Sequence, residues 1–344
     1  MRIAVDVMGG DDAPDAILKG CFAGLEHLSP EDTLALVGPR GAIEETLSEH
    51  GVDDARLEIV DAPDVIDMGE SPAMAVRSKP DSSIVRMAYI GSHRTDLETR
   101  ADAVISAGNT GACVTAGIMQ MKRLPGVHRP GIAVVMPSFH GDMILCDAGA
   151  NPEPKATHLW QYGIMGEALA RKLLGMPKPR VALLNIGSEE GKGTGIIKET
   201  RDLLRATPGI DYVGYIEGRS LFSGVADVVV TDGFLGNAML KTAEGLASSI
   251  FKAITQEIVE LDPELMLRFE PIARAIYAKN DYHTYGGAPL LGVNGTMFIA
   301  HGSSEPRTIA NAIRTTRQYV SLGVNEEMAR RVAECEALEQ PVDA

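Results

Sequence analysis

VALLNIGSEEGKGTG, residues 181–195, decides the fold class. Its opening residues are apolar in succession, as in a strand covered on both faces. The run empties into a glycine-rich loop carrying one lysine, Lys192, just ahead of a predicted helix. Strand, short loop and helix in that order are the repeating unit of a parallel α/β sheet. The same segment has the chemistry of an oxyanion or phosphate cradle. Small residues, Gly191 and Gly193 among them, let backbone N–H groups turn inward, the next helix offers unpaired donors, and the ammonium adds a full charge. It is not a Walker A loop, because only three residues separate Gly187 from Gly191, and Gly193 stands where a Ser or Thr would follow the lysine. Glu189 and Glu190 would repel a polyphosphate, so a small anion or a developing oxyanion fits better. A plain strand-to-helix turn with a solvated lysine accounts for these residues equally well.

Outward from that stretch the alternation continues. Runs at 3–8, 33–37, 57–61, 103–106, 132–136, 143–146, 181–186, 212–216 and 228–231 are predicted strands separated by helical patterns. That order implies a mostly parallel sheet with helices on both faces. GIAVVMPSFHGDMILCDAG, 131–149, departs from it: two strands meet at a turn around His140, Gly141 and Asp142, too short for a crossover helix, and predict an antiparallel hairpin. The longest helical region, 246–279, puts Leu246, Ile250, Phe251, Ile254 and Ile258 on one face, and Pro263 and Pro271 split its second part. No repeat, low-complexity tract or linker interrupts the chain, so 1–344 reads as a single α/β domain with a helical elaboration about 245–282.

A chain of 344 residues with 45% hydrophobic content can bury a large core. A net charge of −15 argues against nucleic acid, whose nonspecific binding needs a basic face. Cys21, Cys113, Cys146 and Cys335 are scattered without a CxxC pair or clustered histidines, which predicts neither disulfides nor zinc and suits a reduced, cytosolic setting. The opening MRIAVDVMGG lacks a signal peptide's apolar region, and no apolar run approaches ~20 residues, so export and membrane spanning are not expected. GxGxxG follows none of the predicted strands, and nothing else indicates an organic cofactor. Asp6, Asp11 and Asp12 offer oxygens of the kind Mg²⁺ takes, but they read better as turn and cap residues, and no metal is expected.

Ligands of such sheets gather beyond the carboxyl ends of the strands. Five loops there are rich in Gly, Asn and Asp: DVMGGDDAP (6–14), SAGNTGA (106–112), CDAGAN (146–151), IGSEEGKG (186–193) and TDGFLGNAMLK (231–241). Together they predict one pocket. Singly each has a structural reading: Asp11 or Asp12 capping a helix that holds Pro14, Asn109 or Thr110 capping the helix near Gly111, Asp147 shaping a turn.

In order and spacing, IAVDVMGGD (3–11), SAGNTGA, CDAGAN, LLNIGSEEGKG (183–193), TDGFLGNAMLK and YGGAPLLGVNG (285–295) resemble the bacterial phosphate acyltransferase family of phospholipid synthesis, PlsX, over nearly the whole chain. The resemblance implies a Rossmann-like α/β/α sandwich akin to phosphotransacetylases. It also implies a cytosolic homodimer that transfers a fatty acyl group from acyl-[acyl carrier protein] to inorganic phosphate and feeds acyl phosphate to a membrane glycerol-3-phosphate acyltransferase. In that family the helices matching 245–282 form the dimer contact and an apolar tip at the inner face of the membrane. Lys192 matches the family's catalytic lysine and Asn237 a hydrogen-bond donor at the reacting centre.

Phosphate must attack a thioester carbonyl, so the site has to hold an anion and stabilise the charge that develops on the carbonyl oxygen. Lys192 and Asn237 suit those tasks, with Asn109, Thr110 and Asn151 as secondary donors; a capping role for Asn237 is the alternative. His301, ending the predicted strand TMFIAHG (296–302), is either a donor to phosphate or the thiol's acid, or else a satisfied core histidine. No GxSxG elbow occurs; Ser303 and Ser304 read as an N-cap before the final helix, and Cys113 as a buried apolar residue more than as an acyl-carrying thiolate. Lys122, Arg123, His128 and Arg129 form the densest basic patch for an acidic carrier. A phosphotransacetylase-like enzyme using coenzyme A thioesters and a noncatalytic regulator binding the carrier remain the alternatives.

Overall fold

The computed structural model describes residues 1–138, 140–279 and 284–339. Its strands are β1 (Arg2–Asp6), β2 (Thr33–Gly38), β3 (Leu57–Asp61), β4 (Ala103–Ser106), β5 (Gly131–Ser138), β6 (Gly141–Cys146), β7 (Arg180–Leu184), β8 (Asp211–Ile216), β9 (Val228–Val230), β10 (Ala288–Leu291) and β11 (Met297–Ile299). The helices are α1 (Asp15–Gly24), α2 (Arg40–His50), α3 (Pro72–Ser78), α4 (Ser83–Ile90), α5 (Thr110–Ala116), α6 (Ala156–Leu173), α7 (Gly195–Ala206), α8 (Gly233–Leu261), α9 (Pro263–Lys279), α10 (Pro306–Ser321) and α11 (Val324–Glu339). Every strand read from the sequence is present, within one or two residues at its ends except for the run read over 296–302, which stops at Ile299. The unanticipated one is β10, four residues long with Pro289 inside it, a residue that lowers strand propensity.

All strands join one sheet in the order β3-β2-β1-β4-β11-β10-β5-β6-β9-β7-β8. The first five run parallel. β10 is antiparallel to both β11 and β5, and β5 pairs with β6 as the expected hairpin. Beyond it β6, β9, β7 and β8 form a second parallel block of opposite direction. β10 meets β5 only at Leu290 opposite Ile132 and Leu291 opposite Gly131, so β5 is offset along the sheet. With Ala133 opposite Cys146, the amino end of β5 brings the carboxyl end of β6 close to the loops of the first block.

Consecutive buried residues in β1, β2 and β4 follow from helices on both sheet faces. α6 is buried along nearly its whole length between the sheet, α7 and α11, which explains why its sequence lacks a polar stripe. α8 behaves in the opposite way: only Gly233 and Gly236 are buried, and past its first turns it leaves the sheet with α9 packed back upon it. Residues 245–279 of the range read as a helical elaboration fall within this pair, and residues 280–282 lie outside the described ones. α10, where Ser303 or Ser304 was expected to cap the final helix, is followed by α11, and Glu305 occupies its N-cap position.

Candidate active site

Two strand ends carry an aspartate that is spent on organising its own loop. Asp6 ends β1 and is fully buried; it accepts the Ser106 hydroxyl at 2.7 Å and the Met8 N–H at 3.0 Å, which ties the loops after β1 and β4 together. Asp147 follows β6 and accepts the N–H groups of Ile132, Gly149, Ala150 and Asn151 at 2.6–3.1 Å. Burial raises the pKa of both carboxyls, against the pull of those donors. The Asp147 loop in turn seats α8. Gly233 N–H donates to the Asn151 carbonyl at 2.8 Å, and a β-carbon on Gly236 would lie 2.0 Å from the Asp147 carbonyl oxygen, so only glycine lets the helix approach.

Asp232 caps α8 by accepting from Leu235 N–H at 2.8 Å. The capping role is therefore taken, and Asn237 falls in the next turn, half-buried, with no hydrogen-bond partner among the described residues. Its amide lines a cavity of about 390 Å³ together with Thr110, Lys241, His301 and Thr308. The floor is apolar, made by Ile132, Val134 and Val135 of β5, with Leu240 and Ile299. His301 Nδ1 accepts from the Ser303 N–H at 3.3 Å and lies 2.8 Å from its hydroxyl, so the neutral ring carries its proton on Nε2, free to donate.

Four of the five loops singled out in the sequence reach this cavity, through Asp11, Thr110, Gly149 and Asn237. The fifth, 186–193, does not line it. Sheet order puts β9 between β6 and β7, so the Lys192 loop stands two strands, about 10 Å, to one side of the β6 loop on the same rim. There Gly193 has φ +92°, and a β-carbon on it would meet the Asn185 amide at 2.5 Å, a turn only glycine makes easily. Gly191 and Lys192 are exposed, and Lys192 forms no ion pair among the described residues. Glu190 is turned away from the rim: Arg201 and Arg205 of α7 hold its carboxylate at 3.1 and 2.6 Å.

A family model described as "Fatty acid synthesis protein" matches residues 1–327. The chain belongs to that family. The chain is 44% identical over 335 residues to a phosphate acyltransferase of Desulfitobacterium hafniense (strain DSM 10664 / DCB-2), covering 96% of this chain and 98% of that protein. It is 44% identical over 323 residues to one from Heliobacterium modesticaldum, covering 93% and 94%. A phosphotransacetylase structure from Streptococcus pyogenes superposes with a TM-score of 0.58 at 16% identity over 93% of this chain and 94% of that one. The fold is therefore phosphotransacetylase-like, and as a member of its family the chain is an acyltransferase.

Two candidate donors are committed elsewhere. Asn109 accepts from Ala112 N–H and donates to the carbonyls of Asp67, Met68 and Glu70 at 3.1–3.3 Å, fastening α5 to the segment before α3. Asn151 donates to the Pro130 carbonyl at 2.6 Å and the Tyr162 hydroxyl at 2.7 Å. Cys113 is fully buried, and burial pushes its thiol up to about 12, out of reach of thiolate chemistry. Asp11 and Asp12 do not cap α1 through their side chains. Sequence reasoning passed over Lys241, although its place four residues after Asn237 puts both on one helix face.

Proposed function

We propose that this chain transfers a fatty acyl group from acyl-[acyl carrier protein] to inorganic phosphate, giving acyl phosphate for phospholipid synthesis. The observation that carries the reading is the cavity itself: an apolar floor on β5 that suits an alkyl chain, beneath the Asn237 amide, which has no partner among the described residues, and the Nε2–H side of His301. A phosphate oxygen attacks the thioester carbonyl, the C–S bond breaks, and the departing thiolate takes a proton. Asn237 donates to the carbonyl oxygen as it becomes an oxyanion, Lys192 reaches in from the rim to neutralise it, and the His301 Nε2–H donates a hydrogen bond to the departing sulfur, which takes up the proton that the attacking hydrogen phosphate gives up. Thr110 adds a hydroxyl at the cavity wall, while Asn109 and Asn151 hold the surrounding loops.

The carrier docks on the basic patch. Arg123 donates to the His128 carbonyl, and His158 lies among His128, Arg129, Lys155 and Arg123, its pKa lowered by burial and then by these neighbours. The patch precedes β5, and the Pro130 carbonyl just ahead of that strand accepts from Asn151, in the loop that also brings Gly149 to the cavity. Leu246, Ile250 and Ile254 form an exposed apolar row on α8 for a second copy of the chain, and Leu261, Leu265 and Leu267 stand exposed where α8 turns into α9, at a tip for the inner face of the cell membrane. No helix among the described residues is long and apolar enough to cross a membrane. A membrane glycerol-3-phosphate acyltransferase would consume the product.

The test is formation of hydroxylamine-trappable acyl phosphate from purified protein, phosphate and either acyl-[acyl carrier protein] or acyl-coenzyme A, with Lys192→Ala alongside. Phosphate-dependent product from the carrier thioester, lost in the variant, supports the reading. Turnover of the coenzyme A thioester alone favours a phosphotransacetylase, and no product from either donor refutes acyl transfer.

A further inference from the structure

We propose that Lys241 is the phosphate-binding cation of the cavity, holding the attacking phosphate beside Asn237; this rests on the acyl transfer proposed above and assigns its nucleophile. Lys241 lies one helical turn past Asn237, and both side chains line the same wall. Among the described lining residues Lys241 is the one lysine or arginine, while Asp11 and Glu244 carry the opposite charge. The wall is therefore net negative, and a mono- or dianion entering it has a single ammonium to meet. That ammonium is unspent, since Lys241 makes no hydrogen bond or ion pair with a described residue. Lys192 does not fill this place, because its loop rises from β7, with β9 between it and β6.

The arrangement divides the labour between the two lysines. Apolar residues of β5 hold the alkyl chain, Lys241 holds the phosphate at the wall, and the carbonyl carbon lies between them. A phosphate oxygen then forms the new C–O bond as the C–S bond breaks, and the thiolate, hydrogen-bonded by the His301 Nε2–H, takes up the proton that the hydrogen phosphate gives up. Charge removed at Lys241 should weaken ground-state phosphate binding, whereas charge removed at Lys192 should slow the chemical step.

The experiment is steady-state kinetics of Lys241→Ala and Lys241→Arg with phosphate varied, together with calorimetric titration of inorganic phosphate into the resting proteins. For Lys241→Ala the expected result is a KM for phosphate raised roughly ten- to a hundredfold, the worth of a hydrogen bond to a charged group, with KM for the acyl donor unchanged. Lys241→Arg should recover part of the affinity, and the calorimetric Kd should move with KM. An unchanged phosphate KM and Kd in a folded Lys241→Ala protein would overturn the assignment, as would a rise confined to the acyl donor's KM. If the wild type makes no acyl phosphate the acyl transfer reading fails, yet phosphate titration still decides whether Lys241 binds the anion.

Discussion

Arg201 holds Glu190 twice through one nitrogen: its Nη1 donates to the main-chain carbonyl at 3.0 Å and to the carboxylate at 3.1 Å. The helix that follows the Lys192 loop thus reaches back to anchor it, and keeps a negative charge off the rim where Lys192 stands. Removing Arg201 has two consequences, a looser loop and a carboxylate, two residues from the lysine, that is left to Arg205 alone. Arg201→Ala is expected to lower kcat by about tenfold, in the range that small misplacements of a catalytic group produce. Adding Glu190→Gln should restore part of the loss. Equal rates in the single and double variants would assign the whole effect to the main-chain anchor and remove the charge argument.

Asn237→Ala should lower kcat by about a hundredfold or more, the usual loss when one donor to a developing oxyanion is deleted. Its melting temperature should stay within a degree or two of wild type, because the amide has no partner to lose among the described residues. A large fall in melting temperature would instead mark Asn237 as a structural residue, and its catalytic assignment would go with it.

The layered fold was legible because its signal is local. Successive apolar residues mark strands such as β4 and β7 wherever they pair. The cavity was legible only as a set of loops. Which of them meet depends on sheet order, and the placing of β9 between β6 and β7 follows from long-range pairing that no window of sequence contains. Asn109 and Asn237 illustrate the limit: both are asparagines at a helix start after a glycine-rich turn, yet Asn109 is bound by Asp67, Met68 and Glu70 carbonyls, while Asp232 already caps the helix of Asn237, whose amide has no partner among the described residues.

Gly236→Ala tests how α8 is seated. The added methyl group would sit 2.0 Å from the Asp147 carbonyl oxygen, so the helix must shift to admit it. The cost should be about 1–3 kcal/mol, typical of overpacking, and Asn237 should move with the helix. Measured unfolding free energy and kcat are expected to fall together; an unaltered pair would mean that α8 and the Asp147 loop are not rigidly engaged.

Asp32 accepts from the Met1 amino group at 2.9 Å, Ser29 N–H at 2.8 Å and Arg317 Nε at 2.9 Å. Burial alone would push its carboxyl up, but these donors outweigh that and hold it well below the ordinary carboxylate range. A carboxyl whose folded pKa lies below its unfolded value of 3.8 contributes stability above that pH, and the contribution drains away as pH falls toward the folded pKa. Wild type should therefore exceed Asp32→Asn by about 2 kcal/mol in unfolding free energy at pH 6, with the gap narrowing below about pH 4. Denaturant titrations at both pH values check this, and a gap that stays constant would rule the titration out.

The exposed apolar residues of α8 and α9 separate into a shaft and a tip, and the two should respond to different substitutions. Ile250 is 49% exposed between Leu246 and Ile254, each one turn away on the same face, so a charge there should strike the proposed contact between two copies of the chain. Leu267 is 74% exposed near the turn from α8 to α9, and a charge there should strike lipid contact. Ile250→Glu is expected to halve the mass seen by light scattering while the protein stays folded. Leu267→Glu should keep the wild-type mass but lose cosedimentation with vesicles containing anionic lipid. Because Glu260, Asp262 and Glu264 surround the tip, binding should depend on apolar insertion more than on lipid charge and should survive moderate salt. Loss of vesicle binding in Ile250→Glu but not in Leu267→Glu would show that the shaft, not the tip, meets the membrane.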